Sequence, residues 1–162
     1  MKDAPTATVL VLVQTGSKYE TKDINGLSHF LEHMCFKGTT RRPKASMISH
    51  ELDALGAQYN AFTSQEFTGY YAKAQSKKLP QLIDIIADMY VNPIFDEKEI
   101  EKEKGVIVEE INMYEDMPQR HIGDIFNQLL YGDQPAGWDV AGPKEIVRAM
   151  TRSHFVEYRN KH

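Results

Sequence analysis

The chain has 162 residues, 41% of them hydrophobic and 26% charged, with a formal net charge of −4. That is one domain's worth of sequence with enough apolar material for a sizeable core, and its scattered positive charges argue against nucleic acid as the main partner. No apolar run approaches the ~18 residues of a membrane span, and the opening Met1-Lys2-Asp3-Ala4-Pro5 has the look of neither a signal nor a transit peptide. A single cysteine, Cys35, rules out an internal disulfide and fits a reducing compartment.

Thr6 to Thr15 is β-branched and apolar and reads as a buried strand. Gly16 to Asp23 is polar and reads as a loop. Asn25 is a candidate cap for a helix from about Gly26 to Phe36, with Lys37 in its last turn and Gly38 just beyond. Arg42-Pro43 starts a second helix that runs to Leu55, and the short basic run Lys37 to Lys44 reads as a solvated loop. Ala57 to Thr63 and Phe67 to Gln75 are two strands joined by a Ser-Gln-Glu turn. Leu79 to Val91 is a helix with an apolar stripe of Leu82, Ile83, Ile86, Met89 and Tyr90. Asp96, with Glu99 three residues on, opens a long helix to about Glu115. Met117-Pro118 ends it, and a further helix spans Gln119 to Tyr131. A loop carrying Trp138 follows, then two short helices at Lys144–Met150 and Arg152–Arg159. The fold class is α+β, a two-layer arrangement in which a sheet of few, mostly antiparallel strands is covered by helices.

The chemistry concentrates in His29-Phe30-Leu31-Glu32-His33. Four helical residues turn about 400°, so His29 and His33 project from one face one turn apart, with Glu32 toward the same side. Two imidazoles beside a carboxylate can hold a zinc ion with a base next to it, in the reversed order of the H-E-x-x-H zinc motif. A lone helical histidine is usually structural, and His50, His121, His154 and His162 are read that way. Cys35 lies about 200° around the helix from His33 and reads as a packed core thiol.

Catalytic zinc keeps three protein ligands, so a third must lie elsewhere. The Asp96–Glu115 helix offers Glu97, Glu99, Glu101, Glu103, Glu109 and Glu110. Its apolar stripe is Ile100, Val106, Ile107 and Ile111, and Glu103 and Glu110 fall on that stripe two turns apart. Glu109 groups with Lys102, Gly105 and Asp116 on a more polar side. A carboxylate on a buried stripe is costly unless it is paired or bound to metal. Glu110 is therefore the expected third ligand. Glu103 is placed to accept the spare N–H of a ligating imidazole. Glu32 is the expected general base, taking a proton from a water that the metal acidifies and returning it to the leaving amine.

Gly26-Leu-Ser-His-Phe-Leu-Glu-His-Met-Cys-Phe-Lys-Gly-Thr39 resembles the signature of the pitrilysin and insulin-degrading enzyme family. Within it, the look is nearest to the processing-peptidase branch of mitochondria and bacteria. Leu55 to Thr63, Glu101 to Ile111 and Gly142-Pro143 match as well, so the resemblance spans nearly the whole chain. It implies a metallohydrolase fold of the processing-peptidase type and a zinc metalloendopeptidase acting on peptides bound in extended form. It puts the zinc ligands at His29, His33 and Glu110, the general base at Glu32 and a further acid at Glu103. It also implies that Asn60, Ala61 and Phe62 lie on the strand that receives substrate at a sheet edge, a mode suited to sequence-tolerant binding. In the family, two homologous halves enclose a chamber, and the half without zinc or a later domain supplies an Arg and a Tyr that no segment here matches. The expectation is a single zinc-bearing domain over residues 1–162, incomplete at both ends relative to the family. Its partners would be a peptide substrate and a second half or partner subunit, with no nucleic acid or membrane. A unit inactive without that half is the alternative. A regulatory domain with a structural site and a small-molecule zinc hydrolase are further readings. The expected location is cytoplasmic, with the mitochondrial matrix as the alternative.

Overall fold

In the computed structural model, residues 4–162 are described. The first three residues of the opening segment, which the sequence reading weighs for a targeting signal, lie outside them. Three strands, β1 (Thr6–Val13), β2 (Gln58–Thr63) and β3 (Thr68–Gln75), form one antiparallel sheet in the order β1-β3-β2. The central strand pairs Tyr70 with Val11 on one side and with Ala61 on the other. Side chains alternate across a strand, so Tyr70, Ala72, Ala74 and Ala61 turn to one face and are buried there.

Helices α1 (Leu27–Met34) and α3 (Leu79–Val91) cover that face. The Sγ of Cys35, at the end of α1, lies 3.6 Å from the Tyr70 hydroxyl, and the Tyr70 ring packs against Tyr90 of α3. Burial pushes the Cys35 thiol up to about 12, which leaves it an inert core group. Helix α2 (Ala45–Ala54) precedes β2. Beyond α3 come α4 (Glu97–Glu115), α5 (Pro118–Tyr131), α6 (Lys144–Ala149) and α7 (Arg152–Lys161). Phe30 of α1 meets Phe155 of α7 edge-on at 4.8 Å, and Phe95 packs on the same ring. Each such buried ring contributes about 1.5–3 kcal/mol, so Phe30 anchors α1 in the core. No helix among the described residues is long and apolar enough to cross a membrane.

The structure departs from the sequence reading in several places. Strand β1 is an edge strand with one open face: Leu10 and Leu12 are more than half exposed, because no described helix packs on the sheet side opposite α1 and α3. Gly69 sits on that open face under the Phe62 ring, where an added Cβ would lie 2.3 Å from Phe62 Cζ. In α3 the buried position is Ile85 rather than Ile83. In α4, Val106 is exposed and Val108 buried, so the apolar stripe is shifted from the one expected. Helix α2 starts at Ala45, two residues after Pro43, because Lys44 is still extended. Finally, the basic run is not wholly solvated. Arg42 is buried, donating to Glu51 (2.9 Å), Asp84 (2.8 Å) and Asp88 (2.7 Å).

Candidate metal centre

Helix α1 does not begin on an Asn25 cap. Gly26 takes the N-cap position at φ 97°, a left-handed conformation that glycine adopts without strain. A Cβ there would lie 2.3 Å from the Ala141 carbonyl oxygen, so the chain before α1 abuts the loop before α6. The capping group is Glu20, from the preceding loop. Its buried carboxylate accepts from Gly26 N (2.8 Å), Ser28 N (2.6 Å) and Asn25 Nδ2 (3.0 Å). An acid at a helix N-terminus satisfies orphan N–H groups and complements the helix dipole. Asn25 instead bridges Glu20 to the Asp139 carbonyl.

Helix α4 is capped by Asp96, whose side chain accepts from Lys98 N (2.9 Å) and Glu99 N (3.2 Å). Ile100, Ile107 and Ile111 bury one side of α4. That packing brings Glu103 and Glu110 to α1, while Glu109 stays exposed.

The donor atoms of His29, His33 and Glu110 converge. The two Nε2 atoms are 3.3 Å apart, and Glu110 Oε2 lies 3.3 Å from His33 Nε2 and 3.7 Å from His29 Nε2. Zinc bonds of about 2.0–2.1 Å in a tetrahedron separate ligand atoms by about 3.3–3.4 Å. The spacing of two imidazoles and one carboxylate therefore fits a zinc ion with a fourth position left open. Glu103 Oε1 meets His33 Nδ1 at 2.9 Å, and Lys37 meets Glu103 Oε2 at 2.6 Å. That contact leaves His33 Nε2 as the atom free for a metal. The other ring nitrogen of His29, Nδ1, is buried without a hydrogen-bond partner.

Glu32 does not join the cluster of donor atoms. Its Oε2 accepts from the Thr63 hydroxyl at 2.6 Å, which ties it to the last residue of β2. Asn60, Ala61 and Phe62 lie on the same strand. Ala61 faces the helices, Asn60 and Phe62 face the open side, and among the described strands β2 pairs only with β3, so no strand covers its outer edge, where the Ala61 N–H donates to Asn60 Oδ1 at 2.9 Å.

The protonation pattern follows from this crowding. Burial, reinforced by the neighbouring His33 charge, lowers His29 to about 4. Burial acts the same way on His33, but hydrogen bonds to Glu103 and Glu110 overcome it and lift His33 to about 9. The hydrogen bond from His33 holds Glu110 down to about 2. Burial raises Glu32 above the ordinary carboxyl range despite the Thr63 bond. When protonated, His33 carries a proton on each ring nitrogen, Nδ1 toward Glu103 and Nε2 toward Glu110. A metal ion would compete with the second of these protons for Nε2.

Four residues of this centre escaped the sequence reading. Tyr114 donates its hydroxyl to Glu110 Oε1, and Lys37 pairs with Glu103. Both stand four residues after a site residue, Tyr114 within α4 and Lys37 just past the end of α1, so i,i+4 spacing could have found them. Thr63 and Glu20 reach the site only through tertiary packing, and no local pattern announces them.

The profile described as Insulinase (Peptidase family M16) matches residues 1–144. The chain belongs to this peptidase family. It is 43% identical over 148 residues to the uncharacterized zinc protease YmxG of Bacillus subtilis, covering 91% of this chain and 36% of that protein. It is 40% identical over 157 residues to the human mitochondrial-processing peptidase subunit beta, covering 97% of this chain and 32% of that subunit. The M16 chain thus spans about a third of the length of these curated relatives. Among solved structures, a protease from Helicobacter pylori superposes with a TM-score of 0.89 at 25% identity, covering 96% of this chain and 37% of that one. Pitrilysin superposes with the same TM-score at 22% identity over the whole of this chain and 18% of its own, which speaks for the fold. The α+β class and the pitrilysin-type architecture expected of the sequence are both observed, in a family whose relatives carry the names of zinc proteases and peptidases.

Proposed function

We propose that residues 1–162 form the zinc-bearing unit of a metalloendopeptidase that hydrolyses peptides bound in extended form. The observation that carries this reading is the convergence of His29 Nε2, His33 Nε2 and Glu110 Oε2 beside Glu32, itself tied to the free-edged strand β2. His29, His33 and Glu110 would hold one zinc ion. When bound, the ion supplies Lewis-acid polarisation of a carbonyl and makes water acidic enough to deprotonate near neutrality. Glu103 fixes the His33 ring through Nδ1. Glu32 takes the proton of the attacking water on its carboxylate and passes it to the nitrogen of the departing amine, so the carboxylate is restored at the end of the turnover. A peptide adding to the outer edge of β2 would hydrogen-bond to the main chain of Ala61, in place of the Asn60 side chain that now meets its N–H, with the Asn60 and Phe62 side chains alongside. Its backbone then lies in reach of Glu32, because Thr63 of that strand holds the Glu32 carboxylate.

The test is Glu32→Gln. This variant keeps its zinc and loses peptide cleavage by about 10²–10⁴-fold, the usual share of a general acid–base group. Cleavage at the wild-type rate removes Glu32 from the role.

A second reading is supported by the length comparison and by surface chemistry: a unit inactive until joined by a homologous half or partner subunit. The chain spans about a third of its curated relatives. Helix α5 has no buried residue, and Ile122, Phe126, Leu129 and Leu130 are all more than half exposed. Metal content and peptide cleavage, measured for the chain alone and then with a candidate second half, separate the two. Full activity alone removes the partner requirement.

A further inference from the structure

We propose that Tyr114, held by Arg120, is a positioning residue that fixes Glu110 for metal binding through one oxygen only. The inference rests on the reading of His29, His33 and Glu110 as the zinc ligands. Tyr114 lies one turn beyond Glu110 near the end of α4, and its hydroxyl donates to Glu110 Oε1. Glu110 Oε2 is the oxygen that faces both histidines, at 3.3 and 3.7 Å. The two oxygens thus have separate occupations, and the carboxylate cannot rotate without breaking the Tyr114 bond.

Tyr114 is itself pinned. The Arg120 guanidinium, from the first turn of α5, lies 3.2 Å above the centroid of the Tyr114 ring. Such a cation–π contact is worth about 0.5–2 kcal/mol. The corner between α4 and α5 therefore acts as a brace that runs from Arg120 through Tyr114 to a ligand oxygen. Groups that orient a ligand in this way usually matter to metal affinity by about 10–100-fold. Without the brace, Glu110 can turn about its last torsion and offer either oxygen, or both.

The experiment compares wild type, Tyr114→Phe, Arg120→Gln and the double variant. Zinc affinity is read by competition with a chromogenic chelator, and coordination by the visible absorption of the Co²⁺-loaded chain. Tyr114→Phe keeps the ring and the packing but loses the hydroxyl. It is expected to weaken zinc binding about 10–100-fold while the metal-free melting curve stays in place. Its Co²⁺ spectrum is expected to weaken as the freed Oε1 enters the coordination sphere. Arg120→Gln is expected to weaken zinc less, and to add little once Tyr114 is Phe, since it acts through that residue. Wild-type affinity and spectrum in Tyr114→Phe overturn the proposal, as does an affinity loss that merely accompanies unfolding of the metal-free chain. Additive losses in the double variant overturn the part assigned to Arg120. If the wild-type chain itself takes up no zinc, the ligand assignment fails instead.

Discussion

Two buried clusters of charge can be set side by side in this domain. Around Arg42 every charge faces an opposite one: the guanidinium reaches Glu51, Asp84 and Asp88, and Asp88 also accepts from Thr39 and Asn92. Around His33 the carboxylates of Glu103 and Glu110 and two imidazoles crowd together, with Lys37 paired to Glu103. There two Nε2 atoms and a carboxylate oxygen point at one another, and His29 Nδ1 has no partner. A cluster that serves only the fold can give each of its charged groups a partner of the opposite sign. A cluster left with donor atoms aimed at a common point forgoes stability, the pattern expected where a ligand completes it.

The comparison can be broken most severely at Arg42. Arg42→Met leaves the Asp88 carboxylate buried and without its cation, and a loss of about 3–5 kcal/mol is expected in urea unfolding. Zinc affinity should stay at the wild-type value, because Arg42 touches none of the site residues. A parallel loss of zinc would join the two clusters into one.

Glu20→Ala stands between the clusters, since it strips a satisfied carboxylate from the helix that carries the site. Gly26 N and Ser28 N would lose their acceptor in a buried setting, at a cost of about 1–3 kcal/mol. Thermal melting of the metal-free chain checks it, and zinc affinity should fall as well because α1 frays at the end nearest His29.

The acid limb of stability gives the smallest effect. The hydrogen bonds from Arg41 and Arg42 hold the Asp84 carboxyl down to about 2, and Asp88 is also lowered: burial works against this, and the bonds from Thr39, Asn92 and Arg42 prevail. A folded carboxyl below its unfolded value binds fewer protons in the fold. Its stabilisation is therefore complete above about pH 4, the unfolded value, and is lost as the pH falls toward about 2. Melting curves over that window should decline in wild type and decline less in Arg42→Met.

How much of this was readable in the sequence follows from the range of each interaction. The approach of His29 to His33 is an i,i+4 relation within one helix, and the placement of Glu103 and Glu110 followed from the apolar stripe of α4. That stripe was misread at Val106, yet Ile100, Ile107 and Ile111 were enough to point both glutamates at α1. Glu20 was missed because its capping bonds come from a loop, not from the helical repeat. Arg42 was hidden in a run of basic residues, where only the buried Asp88 on α3 explains its burial. The exposed side of β1 was misjudged because an apolar strand reads the same whether one of its faces or both are covered.

The most direct measurement is a zinc titration of the chain by calorimetry, run beside the same titration of Glu110→Gln. One ion bound per wild-type chain, and a steep loss of affinity in the variant with the metal-free fold intact, is the result predicted here. Equal binding by the two chains would contradict the assignment of Glu110, and with it the centre built from α1 and α4.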